Sequence, residues 1–182
     1  MTQARRNSLP GEHSGEVARE YVNKVCSLLE GNFGFHVYQT CYEAPDAASV
    51  VVGGERIRFD IIVDQARMNS SGDTETSKLH FLCECKWRTN TDDLKTQLKD
   101  FMKKALKTTP ELQRQFSDRF GFLFFCNKPF GIDQSNLQDV SYIKEFLNKD
   151  SDSNDLVQLS RRIAIVFLSD WFLETTSRGR VR

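Results

Sequence analysis

Between Phe120 and Asn127 the chain reads Phe-Gly-Phe-Leu-Phe-Phe-Cys-Asn, a run of strand length with its one polar side chain at the end. Side chains on a strand alternate between faces, so a run that is apolar on both must be covered on both. That requirement predicts a central strand in a sheet layered between helices, and the rest of the chain has to supply those helices and the neighbouring strands. At 182 residues there is room for one such domain with a substantial core.

The neighbours are legible in order. Ser14 is expected to cap a first helix whose apolar positions, Ala18, Tyr21, Val22, Val25, Leu28 and Leu29, follow helical spacing up to Gly31. Phe35–Tyr42 predicts a strand. Pro45 and Gly53-Gly54 mark a loop before a second strand, Arg56–Asp64. A polar stretch around Asn69–Asp73 connects it to a third, Leu79–Trp87. A second helix is expected over Asp92–Lys107, capped by Thr91 and stopped before Pro110, with Leu94, Leu98, Phe101, Met102 and Ala105 as its stripe. After the central strand come a weaker helix at Asp139–Asn148, an acidic linker at Asp150–Asp155, a strand at Arg162–Leu168 and a short helix at Ser169–Thr175. The expectation is therefore an α/β domain over residues 14–176. A central mixed β-sheet is flanked by helices, in the order αβββαβ with a C-terminal strand and helix added. Residues 1–13 read as a flexible leader and 177–182 as a flexible tail.

Bulk properties exclude several classes. No apolar run approaches the roughly 20 residues of a membrane span, and Arg5-Arg6 are followed by no apolar stretch, so neither a span nor a signal peptide is expected. Five cysteines without secretory signals point to reduced thiols and a cytoplasmic protein. Walker, dinucleotide-binding, serine-elbow and zinc-peptidase motifs are absent from the sequence. Net charge is zero, so any polyanionic partner has to be met by a local patch.

The chemistry concentrates on two strands. Alternation puts Arg56, Arg58, Asp60 and Ile62 on one face of the second strand. On the third it groups His80, Leu82, Glu84 and Lys86, with Glu84 and Lys86 about 6.6 Å apart along the strand. Cys83 and Cys85 share the other face and, without a CxxC pair or a histidine on their side, read as buried small hydrophobes. If the two strands pair, Asp60 comes beside Glu84, and two carboxylates and an ammonium converge. Hard carboxylate oxygens suit Mg²⁺ together with a substrate phosphate. The carboxylates keep the lysine charged, which favours an electrostatic role over that of a base. Two adjacent carboxylates should also crowd each other, so removing one is expected to stabilise the fold. The plain alternative is a cross-strand ion pair on a solvated face.

Phe59-Asp60, then Glu84-Cys85-Lys86 at a strand end, resembles the D…(D/E)xK signature of the restriction-endonuclease-like PD-(D/E)xK nuclease superfamily, and the element order over Ser14–Asn127 resembles that superfamily's core. The resemblance implies that Asp60 and Glu84 ligate Mg²⁺, with Mn²⁺ able to substitute, and that Lys86 is the active-site lysine. It implies a first-helix glutamate, Glu20 or Glu16, with Glu20 preferred. It also implies a helix glutamine, Gln97, as in archaeal junction resolvases and Mrr-like restriction enzymes. Phe59 stands where the superfamily's name has proline, and the spacer from Asp60 to Glu84 is long.

Lys95, Lys99 and Lys103 recur at four-residue spacing, and Lys86–Lys107 holds seven basic against three acidic residues. Such a stripe is ordinarily a solvated face. Beside a phosphodiesterase site it equally suits phosphate binding, with Arg58 joining it on the Asp60 face. Trp87 reads as core rather than as a base-stacking platform. The expected activity is hydrolysis of DNA phosphodiester bonds, and the resemblance adds defence against foreign DNA as a setting. No sequence-reading module is present, so targeting would fall to a homodimer or to a fused or partner domain. The rival classes are a nuclease-like module without catalysis and an RNA-directed or repair nuclease.

Overall fold

The computed structural model describes residues 10–33, 35–40, 48–65, 79–88, 90–148 and 153–169. Seven strands and five helices lie among them: α1 Pro10–Phe33, β1 His36–Thr40, β2 Ser49–Val52, β3 Glu55–Arg58, β4 Ile61–Gln65, β5 Leu79–Lys86, α2 Thr91–Phe116, β6 Phe120–Cys126, α3 Gln134–Gln138, α4 Val140–Leu147, α5 Ser153–Ser160 and β7 Ile163–Phe167. The class is α/β. A five-stranded mixed sheet runs in the order β1-β4-β5-β6-β7, with antiparallel pairing from β1 to β5 and parallel pairing from β5 to β7.

The strand β6 carries out what its composition demands. Phe120, Phe122 and Phe124 are buried toward α2, and Phe125 is buried toward α1. Gly121 is required where it stands, because a Cβ would meet the Phe81 ring at 3.0 Å and the Arg162 carbonyl oxygen at 3.2 Å. Among the described residues, one face of the sheet is covered by α1, through Val22, Val25 and Leu29 against Ile61, Val63, Cys83 and Cys85. The other is covered by α2 with α4 and α5 behind it, around edge-to-face contacts of Phe101 with Phe59 and Phe122.

Several boundaries differ from the sequence expectation. The first helix begins at Pro10, before Ser14, and continues to Phe33. Residues 41–42 of the expected first strand, and nearly all of the helix expected at Ser169–Thr175, fall outside the described residues, as do 1–9 and 177–182. The single strand expected over Arg56–Asp64 is two. Up to Arg58 the chain pairs with β2 in a separate hairpin, closed by Gly53 and Gly54 at φ +56° and +85°, the backbone a two-residue hairpin turn needs. The Phe59 amide still bonds the Ala48 carbonyl, whereas the Asp60 amide bonds that of Cys83. Asp60 is thus where the chain transfers from one sheet to the other.

The α2 helix is capped by Asn90, whose side chain accepts the Asp92 amide, and not by Thr91. It also runs through Pro110 to Phe116. Proline in a helix interior forfeits one hydrogen bond. Here the Thr108 and Thr109 hydroxyls donate to the Lys104 and Ala105 carbonyls just before it, and Leu112 is buried beyond it. Packing past Pro110 outweighs the local penalty. The expected linker at Asp150–Asp155 is in part the first turn of α5, because Leu156 and Leu159 are fully buried. The weaker helix at Asp139–Asn148 is α4, capped by Asp139 and ended by Asn148 in the left-handed region.

Candidate active site

The site forms where β4 and β5 pair beside α2. Ile61 lies opposite Cys83, so one step along the ladder brings Asp60 level with Glu84. Glu84 and Lys86 point to the α2 face, and Cys83 and Cys85 are buried on the α1 face. Beyond Lys86 the chain is latched to the end of β6: Asn127 accepts the Arg88 amide at 3.1 Å and donates to the Arg88 carbonyl at 3.1 Å.

Within this frame the charges interlock. Asp60 Oδ2 accepts the Cys85 backbone amide at 2.8 Å and lies 3.2 Å from Lys86 Nζ. Lys86 Nζ is also 2.7 Å from Glu84 Oε1. Lys104, from α2, reaches the same carboxylate, at 3.1 Å from Oε1 and 3.2 Å from Oε2. Glu84 is 5% exposed, and the Asp60 and Lys86 side chains are 14% exposed each. Burying carboxylates this deeply is costly unless cations and donors meet them, and here both do. The expected crowding of two like charges is therefore absent, because Lys86 stands between them. Burial pulls the Lys86 ammonium toward the neutral form, but the Glu84 and Asp60 carboxylates overcome this and hold its pKa above the ordinary lysine range. At neutral pH it is a cation, not a base.

Among the described residues, no group of three or more His, Cys, Asp and Glu side chains gathers as a metal cluster. The donor set that Asp60 and Glu84 offer is two carboxylates, the kind of set from which Mg²⁺ is bound while it keeps several waters. The thiols offer nothing comparable. Burial raises Cys83 and Cys85 well above the usual thiol range, so neither is a ready thiolate.

The other sequence candidates fare differently. Glu20 is 65% exposed on α1 and pairs with Lys24 on its own helix at 3.0 Å, and Glu16 is exposed as well; the structure does not bring them to Glu84. Gln97 is half-buried on α2, two turns before Lys104, and among the described residues no hydrogen bond joins it to the cluster. The lysine stripe divides. Lys95 lies 3.8 Å from Asp92, Lys99 sits over the Phe146 ring, and Lys103 lies 3.3 Å from Asp100. Only Lys103 borders a concavity of about 480 Å³ between β3 and α2, together with Arg56, Arg58, Lys104 and Lys107. Trp87 packs against the α1-side core. Sequence reasoning missed Lys104 as a site residue. Its signal was its place at the margin of the α2 apolar stripe, on the same helical face as Gln97.

What these features define is an α/β domain with paired carboxylates and two lysines at one margin of its sheet. No known protein family and no curated protein matches the chain.

Proposed function

We propose that this domain is a Mg²⁺-dependent nuclease that hydrolyses phosphodiester bonds of DNA, with the restriction-endonuclease-like arrangement its sequence resembles. The observation that carries the reading is the convergence of Asp60, Glu84 and Lys86 across two paired strands, with Lys86 Nζ within 3.2 Å of both carboxylates. Three further features support it: the antiparallel β1-β4-β5 meander, the crossover through α2, and the parallel β6 reached after it. With the β2–β3 hairpin set aside, α1 and these elements run in the order α, β, β, β, α, β.

Asp60 and Glu84 are the residues that hold the ion, which when bound supplies charge neutralisation and an acidified water. Asp60 is aimed by the Cys85 amide, so its position is set by the ladder and not by a flexible side chain. Lys86, kept charged, donates to the scissile phosphate as negative charge develops there. Cations on the β3–α2 side meet the neighbouring phosphates.

One observation favours a second reading, a domain that binds without catalysis. Lys86 and Lys104 already neutralise both carboxylates, a set complete without any metal. One experiment separates the two: duplex, single-stranded and branched DNA, and RNA, are incubated with the protein with and without Mg²⁺. Cleavage that requires the ion supports the nuclease. Binding without cleavage under every condition supports the silent module, and cleavage of RNA alone moves the activity to the other substrate class.

A further inference from the structure

Lys104 belongs to two places at once. Its ammonium contacts both oxygens of Glu84, and the same side chain, 36% exposed, lines the β3–α2 concavity. That concavity carries five basic side chains against two acidic ones, Glu55 and Asp100, which pair with Lys107 and Lys103. Arg56 and Arg58 are two apart on β3, about 6.6 Å along the strand. Lys103 and Lys107 are one helical turn apart on α2, about 6 Å. Two facing rows of cations at this spacing fit the backbone of one nucleic-acid strand.

Glu84 Oε1 already receives two ammoniums and Oε2 one. A divalent ion that takes Glu84 through Oε1, or through both oxygens, has to displace at least one of these contacts. Lys86 is held by Asp60 as well, whereas among the described residues Lys104 pairs with Glu84 alone. Lys104 is the one to yield, and the space open to it is the basic concavity.

We infer that Lys104 is a positioning residue that couples the two halves of the site: it closes Glu84 when no ion is bound and, displaced by the ion, adds a cation to the strand-binding groove. The coupling is reciprocal, so nucleic acid in the groove favours the ion as the ion favours nucleic acid. The inference rests on the metal-site reading above and deepens it.

The test is calorimetric titration of Mn²⁺ into the wild type, Lys104→Gln, Lys104→Arg and Lys103→Gln proteins. A charge-assisted contact of this kind opposes the ion by a factor of about ten or more, so Lys104→Gln binds Mn²⁺ at least about tenfold more tightly. Lys104→Arg keeps the clamp and stays near wild type, and Lys103→Gln leaves ion affinity unchanged. In parallel, Mn²⁺ tightens binding of a phosphorothioate duplex to the wild type more than to Lys104→Gln. Its log affinity falls with log salt more steeply for the wild type, by about 0.9, one phosphate contact. Equal ion affinity in the wild type and Lys104→Gln overturns the inference and leaves the metal site standing. Ion binding by neither protein overturns both.

Discussion

Cys83 and Cys85 on one side of β5, and Glu84 and Lys86 on the other, are neighbours in sequence and opposites in chemistry. The thiols are sealed under α1, in a layer where Val22, Val25, Ile61 and Val63 supply only apolar contacts, and burial raises their pKa values. The charged pair meets a face built from α2 and the β4 entry, where an amide, a second carboxylate and another ammonium are within reach. Burial alone therefore does not decide what an ionisable group becomes. A buried group without partners is held neutral and inert, whereas one with matched partners stays charged and available.

The largest expected effect breaks the charged side at its far end. Asp60→Asn keeps an acceptor for the Cys85 amide but removes one of two anionic oxygen donors, and Mg²⁺-dependent cleavage should fall by on the order of 10³ or more. Asp60→Ala should in addition lower stability by about 1–3 kcal/mol, because the Cys85 amide loses its acceptor. Chemical denaturation checks this, and a more stable variant would revive the crowding expected from sequence.

Next comes Lys86→Ala, with a rate loss of about 10²–10³ and a much smaller change in substrate affinity, the pattern of a group acting on developing charge. Single-turnover kinetics separate the two quantities.

A third effect appears only at alkaline pH. The folded pKa of Lys86 is raised, so its contribution to stability is complete below the ordinary lysine value of about 10.4 and is lost as pH rises through the folded value. The stability difference between wild type and Lys86→Met should be flat from about pH 6 to 9 and shrink only above about 10.4. A difference that already changes near neutrality would show that the carboxylates do not hold the ammonium as described.

The smallest effect concerns the stripe. Replacing Lys95 and Lys99 together by Gln should move the salt slope of DNA binding by well under the about 1.8 units of two phosphate contacts, since neither lines the β3–α2 concavity that Lys103 borders. Replacing Lys103 alone should move it by about 0.9.

The same strand explains how much could be read in advance. Alternation along Leu79–Lys86 separated thiols from charges without any coordinates, and the apolar run at β6 required helices on both faces. The register that levels Asp60 with Glu84 was a conditional expectation, because pairing depends on a long connection whose geometry local patterns do not encode. Gly53-Gly54 between two β-branched or charged runs is compatible with a loop or a hairpin turn, and nothing local at Phe59–Asp60 marks the division between two strands. Pro110 reads as a stop in sequence because propensity is local, whereas Leu112 is held by a distant core. Lys104 is not singled out by the sequence because a lysine between Lys103 and Lys107 reads as surface until the sheet beneath it is known to carry a buried carboxylate.

The most direct test of the account sets two adjacent residues of β5 against each other in one Mg²⁺-dependent DNA cleavage assay. Glu84→Gln preserves shape and removes the charge on the α2 side. Cys85→Ala removes one buried sulfur on the α1 side, at a cost of about 1 kcal/mol. The account predicts that the first loses cleavage by on the order of 10³ or more while remaining folded, and that the second cleaves within a fewfold of wild type. Cleavage by Glu84→Gln at the wild-type rate would contradict it.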